Sequence, residues 1–156
     1  MKLYITQKPF AWGGKYHVRD EDGKLKYTVA GKIQAFTRRL YVFGSDNCEI
    51  ATVGQKRWCL YPNFCVYRNG KNVAEIKRGI SFLRPKYIVD GPNWTVDGDF
   101  GVHNYRIHQG DKAIAEIKKV WMAWGDNYEI DIFDSKDEII SLVTVIVIDC
   151  MTESNN

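Results

Sequence analysis

Apolar residues recur along the chain in a two-residue pattern. An aromatic residue or leucine is followed two positions later by valine or isoleucine at Tyr16/Val18, Leu40/Val42, Phe64/Val66, Tyr87/Val89, Tyr105/Ile107 and Tyr128/Ile130. A spacing of two places both side chains on the same face of a β-strand. Because the pairs return at intervals of 18 to 24 residues, the chain is predicted to repeat one structural unit.

Each of the first five pairs is followed by turn residues and then by a second apolar pair. The turns contain glycine, asparagine or aspartate, which tolerate the positive φ that tight hairpins need. They are Asp22-Gly23, Ser45-Asp46-Asn47, Asn69-Gly70, Asp90-Gly91 and Gln109-Gly110-Asp111. The return pairs are Tyr27/Val29, Ala51/Val53, Ala74/Ile76, Trp94/Val96 and Ala115/Ile117. The repeating unit is therefore predicted to be a β-hairpin with one apolar face.

The sixth unit continues differently. After "YEIDIF", Ser135 and Glu138 form a Ser-x-x-Glu capping box with Ser135 as the N-cap of a helix. The next segment, "IISLVTVIVIDCM", is apolar around almost its whole circumference, and its β-branched residues would also suit a strand. The cap and the length favour a helix over about residues 136–150. Its apolar stretch, 139–148, spans about 15 Å as a helix against roughly 30 Å of bilayer core, so protein should surround it.

The strand count predicts the architecture. "KLYITQ" supplies one strand, the five hairpins supply ten, and the sixth unit supplies one more. Twelve antiparallel strands without a crossover helix can close into a barrel that has no free edge and a lumen wide enough for one helix. We therefore predict a mainly β fold, a closed 12-stranded antiparallel barrel of repeated hairpins around a buried C-terminal hydrophobic α-helix. The lumen should be lined by Tyr16, Val29, Val53 and their counterparts. Residues 1–151 would form one domain, with 152–156 as a disordered tail.

Composition narrows the class of protein. A chain of 156 residues with 45% hydrophobic and 26% charged residues fits a single soluble globular domain. The formal net charge of +3 is smaller than a dedicated duplex-DNA binder usually carries, and no predicted helix is free to enter a groove. Nucleic acid is therefore not an expected partner. The N-terminal "MKLYITQKPF" lacks the apolar run of a signal peptide, which predicts a cytoplasmic protein with reduced thiols.

The sequence shows no pattern typical of a catalytic, metal or cofactor site. No Cys-x-x-Cys pair occurs among the cysteines, which are expected to be buried small hydrophobes: Cys48, Cys59, Cys65 and Cys150. The histidines are expected to be polar surface residues on strands or beside turns: His17, His103 and His108. The carboxylates before the helix lack the spacing of a calcium loop: Asp131, Asp134, Asp137 and Glu138. Without a nucleophile elbow or a phosphate-binding glycine loop, the chain is predicted not to be an enzyme.

Alignment of the repeats gives a candidate binding site. Basic residues follow the return pairs, and we call this set the basic rim: Lys32, Lys56, Arg57, Lys77, Arg78, Lys118 and Lys119. In an up-and-down barrel the return strands all end at one rim. Aromatic residues lie beside them in the sequence: Phe36, Trp58, Phe82 and Trp121. Acidic residues occupy the hairpin tips at the opposite rim: Asp20, Glu21, Asp22, Asp46, Asp90, Asp111 and Asp134.

Two classes of function are compatible with the basic rim. Basic and aromatic side chains together suit anionic phospholipid or a phosphorylated ligand, which would make the chain a binding module acting peripherally at a membrane. Strand-end lysines also discourage edge-to-edge aggregation, and aspartate favours turns, so the charges could serve solubility alone. The chain would then be a scaffold for an unknown protein partner. Exposed tryptophans at the rim would favour the binding module, and buried ones the scaffold.

The chain resembles a known family along nearly its whole length. The stretches that carry the resemblance are "MKLYITQKPFAWGGKYHVRDEDG", "AEIKR", "FLRPKYIVDG", "WTVDGDF", "EIKKVWMAWGDNYEIDI" and "VIVIDC". In this order they are similar to the LURP-one-related family, which is related to phospholipid scramblases and shares the tubby C-terminal architecture. The resemblance implies a non-enzymatic barrel. Tubby-like domains are phosphoinositide-binding membrane tethers, and plant relatives take part in defence. The proline-rich segment and clustered cysteines of scramblases are missing here, so scrambling is not expected.

Overall fold

The computed structural model describes residues 1–6, 13–34, 37–123 and 125–153, without the side chains of Gln34, Asp126 and Glu153. Within these ranges the chain forms twelve strands and one α-helix. The strands are β1 (Lys2–Thr6), β2 (Lys15–Arg19), β3 (Leu25–Gln34), β4 (Thr37–Gly44), β5 (Glu49–Gln55), β6 (Asn63–Arg68), β7 (Lys71–Arg78), β8 (Lys86–Asp90), β9 (Trp94–Asp99), β10 (Asn104–Gln109), β11 (Lys112–Met122) and β12 (Gly125–Ile132). A 3-10 turn, Ser135–Asp137, leads into the helix α1, Glu138–Glu153.

The strands form a closed antiparallel barrel. Each strand pairs with its neighbours in the sequence, and β1 pairs with β12 to close the sheet. The predicted 12-stranded barrel is confirmed. Antiparallel closure gives the barrel two distinct ends. We call the end with the short hairpin connections 20–24, 45–48, 69–70, 91–93 and 110–111 the turn end, and the end with connections 56–62, 79–85 and 100–103 the loop end.

The turn end uses the residue types that the sequence predicts. Positive φ angles occur at Gly23 (76°), Asn47 (64°), Asn69 (49°) and Gly91 (101°). Glycine has no Cβ to clash in this region of φ, and asparagine tolerates it better than most residues. The Asn-Gly and Asp-Gly turns thus reverse the chain tightly, which keeps the two strands of each hairpin in register.

The helix α1 fills the lumen. Alternate residues of the strands point inward, and Tyr16, Val29 and Val53 are 5%, 1% and 0% exposed. They pack in one continuous core with the helix, whose Val145 and Ile146 are both 0% exposed. Burial on every side explains why the helix has no polar face. It ends at Glu153, later than the sequence indicated at about residue 150.

The start of the helix differs from the predicted capping box. Asp134, rather than Ser135, is the N-cap, and its side chain accepts a hydrogen bond from the Lys136 backbone amide at 3.1 Å. Residues 135–137 wind as a 3-10 turn, which moves the start of α1 to Glu138. The Glu138 carboxylate faces β3, where it accepts a 2.8 Å hydrogen bond from the Tyr27 hydroxyl. The capping prediction at Ser135 was therefore wrong.

Two of the four cysteines lie outside the core. Cys65 and Cys150 are buried, as the sequence predicts, but Cys48 and Cys59 are exposed. Cys48 belongs to the connection between β4 and β5, and Cys59 to the connection between β5 and β6. In these two connections the cysteine side chains do not reach the core, unlike Phe100 of the β9–β10 connection, which is 8% exposed. The prediction of four buried cysteines was wrong for these two.

Candidate functional site

Large apolar side chains are exposed at the loop end. Trp58 and Leu60, in the β5–β6 connection, are 100% and 92% exposed. Phe82 and Leu83, in the β7–β8 connection, are 100% and 94% exposed, and Trp121 near the end of β11 is 79% exposed. Phe36, which the sequence analysis placed with them, lies outside the described residues. Exposed apolar clusters of this kind are uncommon on monomeric domains and mark sites that bind another surface.

Arginine side chains accompany these apolar residues. Arg57 precedes Trp58, Arg78 ends β7, and Arg84 follows Leu83. Among the described residues, none of the three guanidinium groups makes an ion pair or a hydrogen bond. Arg78 and Arg84 border a cleft of about 710 Å³ at the mouth of the barrel. The cleft is next to Thr152 in the last turn of α1, which we call the plug helix because it fills the lumen. Arg84 was not among the sequence-predicted site residues because it lies in a loop rather than after a return strand.

The seven residues of the basic rim do not form one equivalent set. Arg57 and Arg78 lie at the loop end among the exposed apolar side chains. Lys56 lies beside Arg57, but its Nζ is 3.5 Å from Glu75 Oε2. Lys32 projects from β3 over the ring of Tyr41, 5.4 Å from its centroid. The loop-end part of the predicted site is therefore dominated by arginine.

The remaining rim lysines are placed along the barrel wall. Lys77 Nζ lies 2.5 Å from Asp90 Oδ2, a carboxylate that the sequence analysis assigned to the opposite rim. The contact is possible because Lys77 pairs with Ile88, which makes Asp90 its diagonal neighbour on the same face of β8. Lys118 and Lys119 lie within β11, opposite Glu129 and Tyr128 of β12. Lys77 precedes Arg78 at the loop end of β7, whereas Lys118 and Lys119 lie three to four residues before the end of β11.

Lys118 belongs to a charge cluster on the outer wall. Glu129 accepts a 3.0 Å hydrogen bond from the Tyr4 hydroxyl, and its Oε1 lies 3.1 Å from Lys2 Nζ and 3.3 Å from Lys118 Nζ. Burial opposes the charge on Glu129, but hydrogen bonds from Lys2, Tyr4 and Lys118 outweigh it and hold the carboxyl pKa below its ordinary value. The cluster joins β1, β12 and β11 where the barrel closes.

The Glu129 cluster predicts a pH-dependent loss of stability. Glu129→Gln should lower the free energy of unfolding at pH 7 by about 1 to 2 kcal/mol, in the lower part of the range for charged hydrogen bonds because both lysines are partly solvated. Since the folded pKa of Glu129 lies below its unfolded value, this contribution is present above the unfolded pKa of about 4.3 and disappears as the pH falls through the folded pKa. Thermal melts from pH 7 downward check this. The exposed Glu116→Gln is the matched control, and an equal loss at all pH values would contradict the assignment.

A buried polar cluster ties the loop end to the plug helix. The Tyr128 hydroxyl donates a 3.0 Å hydrogen bond to Asp149 Oδ2, and His103 Nδ1 lies 3.2 Å from Asp149 Oδ1. The His103 ring stacks on Tyr128 with centroids 4.8 Å apart. The His103 side chain is only 12% exposed, so the prediction of a polar surface residue was wrong for it. No local pattern shows that this loop histidine reaches an aspartate on the helix.

The described residues contain no group of three or more histidine, cysteine, aspartate or glutamate side chains arranged to hold a metal ion. Within the same part of the chain, no helix is long and apolar enough to cross a bilayer. What the loop end offers chemically is positive charge together with exposed aromatic and aliphatic side chains. That combination can bind a surface.

Comparison with known proteins supports the architecture. Over 149 residues the chain is 28% identical to the uncharacterized protein YxjI of Bacillus subtilis (strain 168), covering 96% of this chain and 92% of that protein. The X-ray structure of the Arabidopsis thaliana protein AT5G01750 has the same fold, with a TM-score of 0.67 and 15% sequence identity, covering 97% of this chain and 90% of that one. The family model for LURP-one-related proteins matches residues 1–149. The chain therefore belongs to the LURP-one-related family.

Proposed function

We propose that the chain is a non-enzymatic binding module that attaches to anionic membrane surfaces through its loop end. The observation that carries the proposal is the full exposure of Trp58 and Phe82 on two neighbouring connections, with Arg57 and Arg84 beside them. Tryptophan and phenylalanine suit the boundary between headgroups and acyl chains, and unpaired arginines suit lipid phosphates. The protein would act in the cytoplasm, peripherally at the membrane.

The loop end is suited to shallow insertion rather than to spanning. Apolar side chains on the β5–β6 and β7–β8 connections would enter the boundary region together, because these connections leave the barrel at the same end. Full burial of a large apolar side chain contributes about 1.5 to 3 kcal/mol, and each basic side chain near an anionic surface about 1 kcal/mol. Two aromatics and three arginines are thus enough for reversible attachment, while the closed barrel remains outside the bilayer.

The barrel itself leaves little room for catalysis. The plug helix occupies the lumen, where barrel proteins often hold a small ligand, and its central residues Val145 and Ile146 are 0% exposed. The cleft at the mouth is open, and its charged lining residues are Arg78, Arg84 and Asp99. These features support a binding role at the outer surface.

Vesicle flotation tests the proposal. The wild-type chain should bind phosphatidylcholine vesicles that contain phosphatidylglycerol more tightly than vesicles of pure phosphatidylcholine. This binding should weaken as salt is added, because the Debye length falls to about 8 Å at physiological ionic strength. The double variant Trp58→Ser/Phe82→Ser should lose about a hundredfold in affinity with an unchanged melting temperature, because both side chains are fully exposed in the free protein. Phe133→Ser, which removes an exposed aromatic at the turn end, is the matched control.

Two results would overturn the membrane proposal. The first is a wild-type chain that ignores phosphatidylglycerol vesicles even at low salt. The second is a double variant that binds them as well as Phe133→Ser does. The first result would favour the alternative function, a protein-interaction scaffold of unknown role whose charges serve solubility alone. The second would show that vesicles contact a surface other than the exposed apolar side chains of the loop end.

A further inference from the structure

A second recess lies on the outer wall of the barrel, below the β5–β6 connection. It has a volume of about 590 Å³ and is formed by residues of β4, β5, β6 and β7 together with Lys56 and Arg57 of the β5–β6 connection. It shares no lining residue with the cleft at the mouth of the barrel, and it reaches the loop end through Arg57, which is next to Trp58. We refer to it as the wall groove.

The wall groove exists because small residues interrupt a row of side chains. Arg39 pairs across the sheet with Gly54, Gly54 with Cys65, and Cys65 with Glu75. Gly54 has no side chain, and Cys65 is short and 6% exposed. Since neighbouring strands lie about 4.8 Å apart, Arg39 and Glu75 stand roughly 14 Å apart at the backbone, with a dent between them.

The groove is lined mainly by cations and hydrogen-bonding groups. Arg39, Lys56 and Arg57 border it, and Glu75 is its single acidic lining residue. Three positive charges against one negative charge leave a formal charge of +2. Glu75 is already engaged, since Asn63 Nδ2 donates to its Oε1 at 3.0 Å and Lys56 Nζ lies 3.5 Å from its Oε2. Among the described residues, the side chains of Arg39 and Arg57 have no such partner.

Neutral groups complete the lining. Thr52 and Tyr67 border the groove on the side toward the turn end, and Thr37 and Gln55 on the side toward the loop end. Hydroxyl and amide groups beside unpaired guanidinium groups suit a ligand that accepts many hydrogen bonds at once. A phosphomonoester offers three terminal oxygens and close to two negative charges at neutral pH, and arginine can bind two of those oxygens side by side. A monovalent carboxylate would use less of this lining.

We propose that the wall groove binds a phosphomonoester group, with Arg39 and Arg57 as its principal ligands and Gly54 as the floor that leaves room for it. The inference rests on the proposed binding function and adds a ligand preference to it. The groove opens beside the loop end, so the phosphate could belong to a lipid headgroup at the attached membrane or to a soluble molecule. Either source presents the same group to the same side chains.

Titration with soluble and membrane-bound probes tests the proposal. Calorimetry with inorganic phosphate and glycerol 3-phosphate addresses the soluble source, with acetate as the comparison anion. Flotation with phosphatidylcholine vesicles containing phosphatidic acid addresses the lipid source, compared with phosphatidylglycerol vesicles of matched surface charge. We expect glycerol 3-phosphate to bind more tightly than acetate, or phosphatidic acid vesicles to bind more tightly than phosphatidylglycerol vesicles, according to the source.

Two variants locate the binding. Arg39→Gln should weaken phosphomonoester binding about tenfold. Gly54→Val should abolish it by filling the floor. A Cβ at Gly54 would meet nothing closer than Tyr67 Cε2 at 3.9 Å, and a melting temperature like that of the wild type checks that the valine variant is folded. Arg106→Gln, on the outer wall of β10, is the matched control, since Arg106 lies outside the groove and its Nε is 3.4 Å from Asp97 Oδ1.

The outcomes separate this inference from the membrane proposal. If the wild type prefers phosphomonoesters and both Arg39→Gln and Gly54→Val remove this preference, the wall groove is supported as the binding site. This holds even if the chain does not bind phosphatidylglycerol vesicles. The phosphomonoester proposal is overturned if the chain binds phosphatidylglycerol vesicles but prefers neither glycerol 3-phosphate over acetate nor phosphatidic acid over phosphatidylglycerol. The membrane proposal would then still stand. The phosphomonoester proposal is also overturned if Arg39→Gln and Gly54→Val reduce the preference for phosphomonoesters no more than the control Arg106→Gln does.

Discussion

Replacing Ile146 by aspartate should abolish cooperative folding. Ile146 is 0% exposed and lies on the plug helix, inside the continuous core that the helix and the barrel wall share. A carboxylate there would be buried without a partner, at a cost of several kcal/mol on top of the lost apolar packing. Small domains are stable by only about 5 to 15 kcal/mol in total, so this single change removes most of the margin.

Circular dichroism melts and size-exclusion chromatography measure the effect. Ile146→Asp should show no cooperative transition and should aggregate, because a barrel without a packed lumen exposes its inner face. Ile80→Asp is the matched control, since Ile80 is 86% exposed in the β7–β8 connection and should change the stability by about 0.5 kcal/mol or less. A folded, monomeric Ile146→Asp variant with a melting curve like that of the control would rule out the plugged barrel.

Gly98→Ala should cause the second largest loss of stability. Gly98, in β9, has a φ of +137°, and a Cβ at this position would lie 2.5 Å from the Cα of Tyr105 on the paired strand β10. The backbone of β10 cannot move away without disturbing the buried Tyr105 ring, which packs against Phe100 with centroids 4.8 Å apart. Strain and displacement together should cost about 3 kcal/mol or more, which corresponds to a melting temperature roughly 10 °C lower.

The control for Gly98→Ala separates backbone conformation from crowding. Gly110 also has a positive φ, +56°, but a Cβ there would meet nothing within 4 Å. Gly110→Ala should therefore cost only about 1 kcal/mol, the penalty of a left-handed conformation for an ordinary residue. Equal melting temperatures for the two variants would show that the close approach of β9 and β10 is absent.

At the loop end, the positions of the site residues along the barrel could be predicted from the sequence, but the exposure of their side chains could not. The position of Arg57 and Arg78 at one end of the barrel follows from strand order, and so does the presence of Trp58 beside them. The full exposure of Trp58 did not follow, because a tryptophan in a loop can equally fold back onto the wall. Arg39 is missing from the predicted basic rim because it lies in β4, the first strand of its hairpin, whereas the rim is defined by residues that follow the second strand.

Charge pairing was the least predictable property of the predicted site. The sequence presents Lys77, Lys118 and Asp90 as charges at rims, but the first two lie against carboxylates in the structure. Lysine is long enough to reach diagonal neighbours on an adjacent strand, and register decides which neighbour that is. Bulges such as the one between Val66 and Tyr67 shift the register by one residue, and the hydrophobic pattern does not mark them.

The sequence by itself determined the barrel. Apolar pairs at a spacing of two, polar turns that permit positive φ, and one segment without a polar face together specify twelve strands and the helix they enclose. Each of these signals is local: the pairs set the buried face of each strand, the turns set where the chain reverses, and the segment without a polar face must be surrounded by the others. Tertiary structure alone decided the contacts between distant segments: the approach of His103 to Asp149, the exposure of Cys59, and the wall groove between Arg39 and Glu75. These depend on strand register and on side-chain reach across the closed sheet, which no short stretch of the chain encodes.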